Sequence, residues 1–182
     1  MEFTQSSEYK VLYDYPQSIL KTTIEVINDF ELFQQWDEDS IPKFLRLLEG
    51  TATYSDNPEA DGALLTVYNI VKAYFNYLIT ENELNMSRET LQGLQESFEK
   101  RNELYVAPKF SSMQTGQKPW NWQATHQIDQ ELKYFYEFEP EVVYAEKVRD
   151  FSITNEGFIL RFLHDVDEYA VDNGVEEDVL PF

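Results

Sequence analysis

The side chains that most often carry enzymatic chemistry are few in this sequence and stand far apart. There is no cysteine, which excludes disulfides, thiolate metal sites and cysteine nucleophiles. The two histidines, His126 and His164, are 38 positions apart and form no HxxxH or HExxH motif. Asp165 and Asp167 follow His164, as an orienting acid follows a general base, but a solvated histidine in an acidic stretch is the favoured interpretation.

Motifs for phosphate binding, nucleophilic catalysis and calcium binding are also missing. The six glycines are scattered, and GxGxxG, GxxxxGK, GxSxG and DxDxDG do not occur. Glu8/Lys10 and Glu131/Lys133 have the acid–x–lysine spacing of some metal-dependent nucleases. With 34 acidic residues in the chain, about two such pairs are expected by chance. We therefore predict no catalytic residue, no metal site and no cofactor.

Negative charge is the outstanding property of the chain. Thirty-four Asp and Glu residues against fourteen Lys and Arg residues leave a net charge of −20, far beyond the magnitude of roughly 2–8 that keeps a small domain soluble. Residues 129–182 carry −11 of this charge and residues 1–128 carry −9. Such a protein is repelled by nucleic acid and by anionic lipid and is attracted to basic surfaces. We predict no direct DNA binding, no membrane association and a basic protein partner.

The predicted partner-binding residues lie in three short segments. Two are acidic clusters in the C-terminal third, and the third is a tyrosine-rich N-terminal stretch that could insert into a partner. The residues are Asp165, Asp167 and Glu168, then Glu176, Glu177 and Asp178, and finally Glu8, Tyr9 and Lys10.

The sequence patterns of the elements that position these residues predict an α+β fold. Apolar residues three and four apart predict helices from Gln17, from Ser40, over residues 58–79 and from Ser87, so the first two-thirds of the chain is rich in helix. Alternation in residues 9–15 predicts an N-terminal β-hairpin that turns at Ser6-Ser7. A second, antiparallel hairpin is predicted over residues 150–163, with Gly157 supplying the left-handed residue of its turn. We predict a single domain, residues 1–182, with a mainly helical lobe 1–104 and a more acidic α+β lobe 105–182.

A pattern of aromatic and small residues runs through the last 32 residues: Phe151-x-Ile153-Thr154-x-x-Gly157, then Phe162, Tyr169-Ala170, Gly174 and Pro181-Phe182. It resembles the end of the domain found in lysozyme-binding anti-sigma factors and some peptidoglycan deacetylases. The resemblance implies a shared hairpin shape and is not extended to a function.

In charge, size and lack of cysteine the chain is similar to small acidic phage and mobile-element proteins that block restriction enzymes or CRISPR effector nucleases. The leading hypothesis is an acidic inhibitor, a nucleic-acid mimic that binds a basic nucleic-acid-processing protein. One alternative is an immunity protein against a nuclease toxin, and another is a metal-dependent hydrolase or nuclease that uses Asp and Glu. The N-terminus lacks the pattern of a signal peptide, and no apolar run reaches the ~18 residues of a membrane span, so a cytoplasmic location is expected.

Overall fold

Helices account for all regular structure in the part of the chain that the computed structural model describes, which is residues 2–12, 14–32, 40–55, 57, 59–81, 86–105 and 140–172. Two short 3-10 helices come first in these ranges, and six α-helices follow within them. They are η1 (Phe3–Gln5), η2 (Tyr9–Leu12), α1 (Gln17–Leu32), α2 (Ser40–Tyr54), α3 (Ala60–Thr80), α4 (Arg88–Tyr105), α5 (Pro140–Thr154) and α6 (Glu156–Asp172).

Helix α3 is the centre of the described part of the fold, where it contacts each of the other five described α-helices. Fourteen of its 21 residues are buried, which is the property of a helix that is apolar on nearly all sides. Every residue from Ala60 to Tyr68 is buried, so the first half of α3 has no face toward solvent. The helix predicted over residues 58–79 is confirmed from Ala60 onward and ends at Thr80.

Helices α1, α2 and α6 pack around α3 through apolar stripes with the spacing of an amphipathic helix. In α6 the stripe is Ile159, Phe162, Leu163 and Val166, and in α1 it includes Ile19, Val26 and Ile27. These residues belong to one hydrophobic cluster that draws on η1, η2 and all six α-helices. Residues 1–104 and 140–172 therefore share a core in the described ranges.

Helix α4 is attached to α3 by a buried hydrogen bond as well as by apolar packing. The Tyr68 hydroxyl donates to the main-chain oxygen of Phe98 over 2.8 Å, and the two rings are in contact. Burial raises the pKa of Tyr68 well above its ordinary value, so the hydroxyl keeps its proton. At the start of the helix the Ser87 hydroxyl accepts the N–H of Thr90, as an N-cap does.

The predicted C-terminal hairpin is wrong, and with it the α+β fold class. Residues 150–163 belong to α5 and α6, which are separated only by Asn155. The Asn155 N–H and its side-chain amide both donate to the main-chain oxygen of Phe151. The residue expected in the left-handed turn, Gly157, lies instead in the first turn of α6. The likeness to the end of the anti-sigma and deacetylase domain therefore does not extend to a shared hairpin.

The predicted N-terminal hairpin is also wrong, because residues 2–12 form two 3-10 turns. Within η2 the half-buried Tyr9 and the buried Leu12 are three residues apart, whereas Val11, which a strand would place on the same face as Tyr9, is 73% exposed. That spacing fits the three-residue period of a 3-10 helix and not the two-residue period of a strand. Ser6 holds the turn between η1 and η2, donating to the Phe3 oxygen and accepting the Tyr9 N–H.

No helix within the described ranges is long and apolar enough to cross a membrane. The predicted division into lobes falls at 104/105, and residues 106–139 lie outside the described residues. It stays a prediction.

Candidate functional site

The outward face of α6 carries the first predicted acidic cluster. Asp165, Asp167 and Glu168 are all exposed, because the apolar stripe of α6 turns toward α1 and α2 and leaves the other positions in water. His164 and Arg161 are exposed as well. The helix therefore presents three carboxylates to solvent within four consecutive residues.

The helical period divides this cluster between two sides of α6. Asp165 and Glu168 are three residues apart and are neighbours on the surface, whereas Asp165 and Asp167 point to different sides. The Glu168 carboxylate lies 3.1 Å from His164 Nε2, one helical turn earlier. Arg161 precedes Asp165 by one turn and makes no ion pair with any described residue. The outward face is therefore acidic, with one arginine and one histidine among its carboxylates.

The second predicted cluster, Glu176, Glu177 and Asp178, lies outside the described residues. Among residues whose side chains are described there are eighteen acidic and eleven basic residues, a net charge of −7 out of the total of −20. Of those eighteen acids only Asp61 is buried, in the first turn of α3. A negative side chain at that position interacts favourably with the dipole of the helix.

Glu8, Tyr9 and Lys10 lie at the start of η2, where that segment packs against α3. Tyr9 is half-buried and packs edge-on against Phe3 with ring centroids 5.3 Å apart. Its hydroxyl accepts a hydrogen bond from Gln17. Lys10 is exposed, whereas Glu8 turns toward α3 and accepts a hydrogen bond from Thr80 over 3.3 Å. Tyr9 therefore packs within the N-terminal segment, Glu8 bonds to α3, and Lys10 is exposed to solvent.

A cavity of about 420 Å³ lies beside η2, between that segment, α3 and α5. Glu8 lines one side of it, so one of the predicted partner-binding residues borders the cavity. Asn69, Lys72 and Asn76 of α3 line another side. Residues at i, i+3 and i+7 share one face of a helix, so these three form a polar stripe along the cavity.

Tyr15 also lines this cavity, and its hydroxyl accepts a hydrogen bond from Asn69 over 3.2 Å. Burial raises the pKa of Tyr15 to about 12, although the hydrogen bond from Asn69 and the charge of Arg149 both favour ionisation. The Arg149 side chain in turn lies 3.5 Å from Asp14. This ion pair connects α5 to the turn that holds Tyr15.

Sequence reasoning missed Asn69, Lys72 and Asn76, although the sequence contains a signal for them. They interrupt an otherwise apolar helix at helical spacing, which marks one stripe of α3 that is not covered by its neighbours. For Tyr15 the sequence contains no such signal, because the position of this residue depends on how η2 packs on α3.

Chemistry based on a bound metal gains no support from the described ranges, in which no group of three or more His, Asp or Glu residues could hold a metal ion. Glu131/Lys133, the second acid–x–lysine pair, and His126 lie outside those ranges.

No protein-family model, curated protein or solved structure matches this chain.

Proposed function

We propose that this protein is an acidic inhibitor that binds a basic nucleic-acid-processing protein and blocks access of the nucleic acid. The partner class is a restriction enzyme or a CRISPR effector nuclease, and the place of action is the cytoplasm of the host cell. The observation that carries the proposal is the excess of acidic side chains at the surface. Seventeen of the eighteen described acids are exposed or half-exposed around an apolar helical core.

The packing of the core supports this proposal because it leaves the charged side chains outside. Carboxylates on rigid helices keep fixed spacings, and complementary potentials on two surfaces speed association and exclude wrong partners. A basic channel that binds phosphates offers the matching surface. Asp165 and Glu168, neighbours on the rigid helix α6, are the described residues that we assign first to this contact.

The test is a cleavage assay with a panel of purified restriction endonucleases and CRISPR effector nucleases. The expected result is inhibition of at least one enzyme when the protein is added before the nucleic acid. Inhibition should weaken as the concentration of the nucleic acid is raised, because the two compete for one surface. A mobility-shift assay should show no complex between the protein alone and DNA.

An immunity protein against a nuclease toxin would use the same acidic surface. Capture from bacterial lysate on the immobilised protein separates the two, because the retained protein is then either a defence nuclease or a toxin. Retention of acidic proteins only, or inhibition that does not weaken as the concentration of the nucleic acid is raised, would contradict the proposed mechanism.

A further inference from the structure

The cavity beside η2 has the dimensions and the lining of a small-molecule site. Its volume of about 420 Å³ falls within the roughly 300–1,000 Å³ that ligand pockets occupy. Leu12 and Ala73 are buried apolar residues in its wall, and Val11 of η2 lines it while 73% exposed. Ala145 closes the side formed by α5. An apolar body of modest size fits against these four side chains.

Asn76 gives the cavity a hydrogen-bonding group that the protein itself does not use. Its side chain is half-buried, and it makes no hydrogen bond or ion pair within the part of the chain that the structure describes. The other half-buried asparagines of the described ranges differ, since Asn69 donates to Tyr15 and Asn155 donates to the Phe151 oxygen. A carboxamide presents a donor and an acceptor side by side, and pairs best with a ligand that has the same two groups in reverse order.

Tyr15 adds a second hydrogen-bonding group with a defined polarity. The residue is 5% exposed, and its hydroxyl oxygen already accepts from Asn69. The hydroxyl donates no hydrogen bond within the described ranges, so its proton is available to an acceptor oxygen of a ligand in the cavity. Because burial raises the pKa of Tyr15 to about 12, the group is a donor throughout the physiological range. Tyr15 therefore selects for an acceptor, such as a carbonyl oxygen.

The formal charges that line the cavity cancel. Glu8 and Lys72 contribute one charge of each sign. The Glu8 carboxylate also accepts hydrogen bonds from the Thr80 and Ser7 hydroxyls, each over 3.3 Å. An ion entering this site would lose its hydration without gaining a net opposite charge, which is unfavourable. The lining therefore favours an uncharged ligand.

We infer that the cavity between η2, α3 and α5 binds a small uncharged molecule that carries a carboxamide or lactam on an apolar body. Asn76 pairs with both groups of the amide, Tyr15 donates to its carbonyl oxygen, and the apolar body lies against Leu12 and Ala73. This inference is independent of the proposed inhibitor function, since its ligand is of a different class and Asn76 and Tyr15 are not among the residues assigned to the partner contact.

The test uses benzamide as the probe and benzoate as its charged isostere, with binding followed by NMR on ¹⁵N-labelled full-length protein. Benzamide should shift the side-chain amide of Asn76 and the main-chain amides of Leu12 and Ala73 in a saturable manner. Benzoate should bind at least about tenfold more weakly, because its charge is not compensated in the cavity.

Three variants make the assignment specific. Asn76→Leu keeps the size of the side chain and should weaken benzamide binding by about tenfold, the loss expected for two neutral hydrogen bonds. Ala73→Leu fills the cavity and should abolish binding while the far-UV circular dichroism of the helices is retained. Asn28→Leu, on the exposed side of α1, is the matched control and should bind as the wild type does. Equal binding of benzoate and benzamide, unchanged affinity in Asn76→Leu, or no saturable shift would overturn the inference.

Discussion

Replacement of Gly62 by alanine should destabilise the protein, whereas the same replacement at an ordinary helical glycine stabilises it. The reason is the close contact between Gly62 and the ring of Phe151. Gly62 is buried in the first turn of α3, where α5 crosses it. A Cβ atom on Gly62 would lie 2.5 Å from Cζ, 2.6 Å from Cε2 and 2.7 Å from Cε1 of the Phe151 ring. Carbon atoms in ordinary contact are ~3.5–4.0 Å apart, so the ring would have to move by roughly 1 Å.

The magnitude follows from two opposing contributions. Overpacking of this kind costs about 1–3 kcal/mol, whereas alanine gains up to ~1 kcal/mol over glycine in a helix. The half-buried Phe151 ring has some room to adjust, which limits the cost. We expect Gly62→Ala to lower the free energy of unfolding by up to about 2 kcal/mol. In Gly93→Ala the new methyl group meets no atom within 4 Å, so this control should raise it by about 0.5–1 kcal/mol.

Urea denaturation followed by far-UV circular dichroism measures both changes as shifts of the midpoint at constant m-value. A double-mutant cycle with Phe151→Leu assigns the cost to the ring, because Gly62→Ala should cost much less once the ring is gone. The reasoning is refuted if Gly62→Ala stabilises the protein as Gly93→Ala does, or if its cost is the same in both backgrounds.

Two further predictions concern buried tyrosines. The pKa of Tyr15 is raised from 10.0 to about 12, so the stability that this residue contributes is complete below pH 10 and is lost as the pH rises toward 12. Urea midpoints measured across this interval should therefore fall less in Tyr15→Phe than in the wild type. An equal fall in both proteins would refute the assignment. Tyr68→Phe removes the hydrogen bond to the Phe98 oxygen and should cost about 1 kcal/mol at neutral pH, whereas unchanged stability would show that this bond is not formed in solution.

The central helix could be predicted from the sequence, but the C-terminal helix pair could not. In α3 the apolar residues recur at helical spacing over more than five turns, and no strand pattern competes with them. Around Gly157 the apolar residues fit both periods over a short stretch, and the sequence Asn155-Glu156-Gly157 resembles a turn. Burial of Ile159 and Phe162 against α1 and α2 decides the outcome, and that packing cannot be seen in a local pattern.

The candidate sites could likewise be predicted from the sequence only in part. Exposure of Asp165 and Glu168 could be predicted, because carboxylates are rarely buried. Their position as neighbours on the surface, with Asp167 on another side of the helix, follows from the helical period of α6. The cavity depends on Tyr15 being carried onto α3 by a 3-10 segment, and short segments of this kind have weak sequence signatures.

The acidic surface of α6 can be tested with two triple variants that change the net charge equally. One variant replaces Asp165, Asp167 and Glu168 by lysine. The matched control replaces the exposed residues Glu89, Glu96 and Glu99 of α4 by lysine. Each substitution set raises the net charge from −20 to −14. Any difference between the two variants therefore comes from position and not from total charge.

The decisive measurement is the dissociation constant of the complex with the captured nuclease between about 50 and 500 mM salt, a range that spans the ~10 Å screening length. An acidic surface that replaces phosphates should lose at least about tenfold in affinity across this range. The α6 variant should bind far more weakly than the α4 control at low salt. An affinity that stays constant with salt, or equal binding by the two variants, would contradict the proposed role of α6.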